Sequence, residues 1–85
     1  MKLIVISAEW CRDCKSMKPI WRSLKSEYPE IEIVIIDCIF NKKLMDVYNA
    51  DLVPTLILKD NIGKELRRET GLMYKDSVLE FINNL

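Results

Sequence analysis

Ala8-Glu9-Trp10-Cys11-Arg12-Asp13-Cys14-Lys15 is the stretch on which the reading of this chain turns. Before it, Leu3, Ile4, Val5 and Ile6 form a continuous apolar run, and Lys2 to Ser7 reads as a short strand covered on both faces. After it, Met17, Ile20, Trp21, Leu24 and Tyr28 recur at the helical period across Cys11 to Tyr28, while Lys15, Lys18, Arg22 and Lys25 occupy the opposite face. Two cysteines separated by two residues therefore stand where a strand ends and a helix begins, close enough to form a disulfide. Cys11 is placed at the helix N-terminus, where unpaired amides and the helix dipole favour the nucleophilic thiolate. Cys14, one turn inside, is expected to be more buried and less acidic, suited to resolving a mixed disulfide. A Cys-x-x-Cys at such a junction points to redox chemistry.

Further along, Pro19 should bend the helix and Pro29 closes it. Ile31 to Asp37 reads as a second strand, expected to be central because Ile33 to Ile36 are all apolar. Asn41 is a candidate cap for a second helix with Leu44, Val47 and Tyr48 facing inward, and Asn49 suits a left-handed stop. Thr55 to Lys59 is a third strand, Asp60 to Gly63 a turn, and Lys64 to Thr70 a charge-decorated edge strand. Gly71 ends it, and Val78, Leu79, Ile82 and Leu85 mark the buried stripe of a last helix. The order β-α-β-α-β-β-α predicts an α/β fold, a four-stranded mixed sheet with helices on both faces.

The 85 residues suit a single domain over 1–85. Thirteen basic and thirteen acidic residues leave no net charge to gather nucleic acid or an anionic membrane. No apolar stretch approaches the ~20 residues of a membrane-spanning helix. The short N-terminal apolar run does not fit a signal peptide, so a cytoplasmic location is expected. The chain has no histidine, which removes Ser-His and Cys-His catalysis and His-bearing zinc sites. A P-loop is absent as well, because Gly63-Lys64 lacks the upstream glycine. Three cysteines fit a reactive pair plus a spare better than a secreted disulfide framework.

These residues resemble the thioredoxin superfamily, nearer thioredoxin than glutaredoxin. Ala8-Glu9-Trp10-Cys11 with Cys14-Lys15 looks like the thioredoxin active-site surround, Pro19 like its kinking proline, Val53-Pro54-Thr55 like its cis-proline loop, and Gly71 like the glycine after its last strand. The resemblance covers nearly the whole chain but lacks the extra N-terminal strand and helix of full-length thioredoxins, so a minimal thioredoxin fold is expected. It implies a cis Val53–Pro54 bond beside the cysteines, with the Val53 backbone free to pair with an extended substrate. Trp10, Arg12, Asp13, Val53, Pro54 and Gly71 are the residues that would contact that substrate.

Three departures qualify the resemblance. Arg12-Asp13 replaces the usual Gly-Pro, with opposed effects on a neighbouring thiolate. Val5 and Ile33 stand where thioredoxins carry a buried Asp and its accompanying Lys. Loss of both together avoids an unpaired buried charge, but Cys14 then needs another route for its proton: water, Glu9 or Asp13. Trp21 is assigned to the core, and Cys38 is read as a buried inert thiol.

The expected function is reduction of protein disulfides by a monomer, through a Cys11–Cys14 redox disulfide, with neither metal nor other cofactor. A reductase of the thioredoxin reductase type, or glutathione, would supply electrons. The rivals are a glutathione-dependent glutaredoxin-type enzyme and a non-catalytic binding module with a structural disulfide.

Overall fold

The computed structural model describes residues 1–38 and 42–83. Strand β1 (Lys2–Ser7) leads into helix α1 (Arg12–Ser16), which gives way at Met17 to α2 (Lys18–Glu27). Then come β2 (Glu32–Asp37), α3 (Lys42–Val47), β3 (Thr55–Lys59), β4 (Glu65–Thr70) and α4 (Lys75–Asn83). The four-stranded sheet has the order β2-β1-β3-β4. β2 runs parallel to β1, whereas β1 with β3 and β3 with β4 are antiparallel. This is the expected mixed α/β sheet.

Alternation along the two central strands divides the core. Leu3 and Val5 of β1, with Leu56 and Leu58 of β3, pack against Met17, Trp21 and Leu24 and against Val78, Phe81 and Ile82 of α4. Ile4, Ile6 and Ile57 point to the other face, where Met45 and Tyr48 from α3 and the following turn, and Cys38, cover them. Successive strand side chains alternate in direction, so continuous apolar runs are what a doubly covered sheet requires. The Lys75 ammonium bonds the Ser23 hydroxyl and the Glu27 carboxylate, each at 2.7 Å, tying α4 to α2.

The expected bend at Pro19 is a full break. Met17 N–H closes α1 on Asp13 and Cys14 carbonyls, and its own carbonyl receives Ile20 N–H to begin α2. Pro19 falls in the first turn of α2, where its missing N–H costs no intrahelical bond. Asn49 takes the left-handed conformation, φ 52°.

Two expectations are corrected. β2 is an edge strand, not a central one, and Ile35 is 45% exposed. Its apolar run reflects partial cover on both faces, Ile33 toward α2 and α4 and Ile36 toward α3, rather than a neighbour on each side. Val47, expected inward, is 71% exposed; α3 turns Met45 and Tyr48 to the sheet instead. The expected cap Asn41 and the stripe residue Leu85 lie outside the described residues, and the side chain of Leu44 is likewise not described.

Candidate active site

Three segments meet at the C-terminal end of β1. The turn after β1 brings Cys11 N–H onto the Ala8 carbonyl at 3.1 Å and sets Cys11 at the N-cap of α1. There its sulfur does what a serine or aspartate oxygen does at a helix start: it accepts the Cys14 N–H, at 3.2 Å. The second segment precedes β3. The Val53–Pro54 peptide is cis, the Val53 carbonyl lies 3.8 Å from Cys11 Sγ as acceptor, and Val53 packs on Ala8, Cys11 and Cys14. The Thr55 hydroxyl bonds the Leu52 carbonyl and holds this loop. In the third segment, Gly71 N–H donates to the Pro54 carbonyl at 2.9 Å with φ 96°, a left-handed conformation that favours glycine.

Cys11 and Cys14 are both free thiols and both buried, Cys14 being 3% exposed. Burial, first, and the neighbouring Cys11 sulfur push the Cys14 thiol up to about 11, against opposing hydrogen bonds from the Ala8 backbone and the Ser7 side chain. Cys14 is therefore protonated at neutral pH in the dithiol. Cys38 lies in the α3-side cluster, its thiol raised by burial and by Asp37. Among the described residues, no group of three or more Cys, Asp or Glu converges on a point that could hold a metal ion.

The residues read from sequence as substrate contacts divide by exposure. Trp10 is 70% exposed beside Cys11, and Arg12 and Asp13 stand exposed in the first turn of α1. Val53 and Gly71 are partly exposed. The Pro54 ring is fully buried, so only backbone around it remains within reach of a polypeptide. Cys11, read as the more open thiol, is itself largely covered, since Ala8 and Val53 close over it.

Two kinds of residue escaped the sequence reading. Leu52 and Leu72 flank the cis-proline loop and Gly71 as exposed apolar side chains; their signal was that each falls outside any strand or helix period. Ser7 is the other. Among the causes that act on the Cys14 thiol, its side chain works to lower the value, against burial and Cys11.

A thioredoxin family model matches residues 1–84. The chain belongs to the thioredoxin family. It is 39% identical over 82 residues to thioredoxin of Chlamydia trachomatis, covering 95% of this chain and 78% of that protein. Among solved structures, thioredoxin of Fasciola hepatica superposes with a TM-score of 0.85 at 28% identity, over 98% of this chain and 78% of that one. Mitochondrial thioredoxin 3 of Saccharomyces cerevisiae, in its oxidised form, shares the fold with a TM-score of 0.86 at 24% identity, over 99% and 77%. Thioredoxin membership makes this chain a thiol–disulfide oxidoreductase, an enzyme of the protein-disulfide reductase type. Among the described residues no helix is long and apolar enough to cross a membrane.

Proposed function

We propose that the chain reduces disulfides in polypeptide substrates, with Cys11 as nucleophile and Cys14 as resolving thiol. The observation that carries this reading is the Cys14 N–H donating to the Cys11 sulfur, an amide dipole aimed where negative charge sits on an attacking sulfur. Cys11 attacks one sulfur of the substrate disulfide; a mixed disulfide forms and the other substrate sulfur leaves as thiolate. Cys14 gives its proton to solvent and attacks Cys11, so the Cys11–Cys14 bond forms as the second substrate sulfur departs. Two electrons and, after protonation, two hydrogens have passed to the substrate, with no cofactor beyond the cysteine pair.

Trp10, Arg12 and Asp13, next to Cys11 in the chain, together with Val53, the backbone at Pro54, and Gly71, serve as the surface for an extended substrate segment. The chain acts as a cytoplasmic monomer, where a reducing poise favours this direction. A thioredoxin-type reductase restores the dithiol, with glutathione as the alternative donor.

The test is Cys14→Ser. This variant should trap substrates covalently on Cys11, and the unaltered protein should accelerate dithiothreitol-driven reduction of insulin. Absence of both results rejects the enzyme reading in favour of a binding module. Turnover with NADPH and thioredoxin reductase, compared with glutathione and its reductase, identifies the donor.

A further inference from the structure

The two edges of the sheet are β4 and β2, and they differ in kind. β4 carries Glu65, Arg67, Arg68 and Glu69, the charge decoration that keeps an edge from pairing. β2 carries Ile33, Val34, Ile35 and Ile36 in succession. Its ladder to β1 uses alternate residues: Glu32 N–H donates to the Met1 carbonyl at 3.1 Å, and Cys38 N–H to the Ser7 carbonyl at 2.8 Å. Successive residues of a strand turn their amides to opposite sides, so Ile33 and Ile35 direct N–H and C=O outward. There the described residues provide no further strand.

A groove runs along this edge. Ile33 and Ile35 are the register partners of Leu3 and Val5, which places them on the sheet face covered by α2. Ile33 is half-buried there, but Ile35 stays exposed. Between strand and helix lies a groove of about 310 Å³, lined by Ile35, Trp21, Lys18, Arg22 and Lys25. The three cations are exposed, and none of them has an ion-pair partner among the described residues. No acidic residue lines the groove; Asp37, the next residue of β2 on that face, falls outside it. A second copy of this chain is the wrong occupant. Two-fold pairing of one β2 with another would put both α2 helices on one face and set their cations against each other. A segment bearing carboxylates supplies the complementary charge. Lys18 to Lys25 spans about 10 Å of helix. Strand side chains four residues apart stand about 13 Å apart, within reach of long flexible lysines.

We propose that the β2 edge binds an extended acidic segment of a partner protein as an added strand. The segment's backbone pairs with Ile33 and Ile35, and an apolar side chain covers Ile35 and Trp21. Carboxylates two residues to either side of it meet Lys18 and Lys25, with Arg22 between them. This surface goes beyond the oxidoreductase reading and does not depend on it.

The probe is the peptide acetyl-Thr-Glu-Thr-Ile-Thr-Glu-Thr-amide, titrated into the isotope-labelled full chain and followed by NMR. The Ile33 and Ile35 amides should shift and become protected from hydrogen exchange, and binding should weaken as ionic strength rises. An exposed ion pair contributes modestly, and reversing one cation turns attraction into repulsion. Arg22→Glu and Lys25→Glu should therefore each weaken binding about tenfold. The peptide with Lys in place of both Glu should not bind. An unchanged rate of Cys11 alkylation in each variant shows that the fold is intact. Absence of binding, shifts centred on Trp10, Val53 and Gly71 instead, or undiminished affinity in both folded variants overturns the proposal. So does concentration-dependent dimerisation of the free chain that moves the Ile33 and Ile35 amides, which would assign the edge to a second copy. Each of these failures leaves the oxidoreductase reading untouched, since that is tested by Cys11 trapping and insulin reduction.

Discussion

Deleting the Cys11 sulfur should make Cys14 more acidic. In the dithiol Cys14 is raised from 9.0 to about 11. Burial comes first among the causes, and the Cys11 sulfur raises it further, both by hydrogen bonding and by charge. The Ala8 backbone and Ser7 side chain act in the opposite direction. Cys11→Ala removes both contributions of the neighbouring sulfur and leaves the other groups in place. The Cys14 value should therefore fall below about 11, toward 9.0. Well below its pKa, a thiol gains tenfold in thiolate for each unit of decrease, so the whole interval bounds the gain at about 100-fold at neutral pH. The same release accompanies bonding of Cys11 to a substrate sulfur. The resolving thiol would thus stay protonated while the dithiol waits and ionise more readily once a mixed disulfide exists. Titration of the Cys14 Cβ resonance by carbon NMR in both proteins measures the change. Cys38, raised by its own burial and by Asp37, provides an internal reference. A Cys14 value that remains at about 11, or rises, would refute the reasoning.

Two further outcomes are expected. Leu56→Ala, at a fully buried position of central β3, should destabilise the protein by about 2–5 kcal/mol, read as a lower urea midpoint. An effect below 1 kcal/mol would mean the α2–α4 face repacks freely. Glu27 is held below the ordinary carboxylate value of 4.5, chiefly by its hydrogen bond to Lys75. A depressed carboxyl contributes stability above its unfolded pKa, and that contribution fades as pH falls through the folded value. In Lys75→Ala the Glu27 carboxyl should titrate nearer 4.5, as followed by carbon NMR. An unchanged titration would show that the α2–α4 ion pair is absent in solution.

The cysteine pair, its strand–helix setting and the element order were all legible along the chain because each depends on residues a few positions apart. The apolar runs of β1 and β3 and the helical stripe through Met17, Trp21 and Leu24 are one-dimensional patterns, and folding preserves them. Asn49 and Gly71 are similar, since their dihedral freedom is a property of the residue itself. Edge or centre was not legible for β2, because the same Ile33–Ile36 run serves a strand with one neighbour or two. Val47 looked inward because it is apolar at a helical interval, but the rotation of α3 against the sheet decides which of its residues are covered.

From its own residues, then, the chain determined that two thiols would share the first turn of a helix after a buried strand, since that follows from local spacing and alternation. Which groups would surround those thiols depended on segments far apart in sequence. The Val53 carbonyl beside Cys11, the buried ring of Pro54 and the Gly71 amide that pairs with its carbonyl meet only through the register of β3 with β1 and β4. Cys14 likewise gained Ala8 and Val53 as neighbours only when α1 settled over the end of β1. Proton affinity at a buried sulfur is set by the atoms packed around it, and those neighbours are assigned by three-dimensional packing rather than by sequence distance.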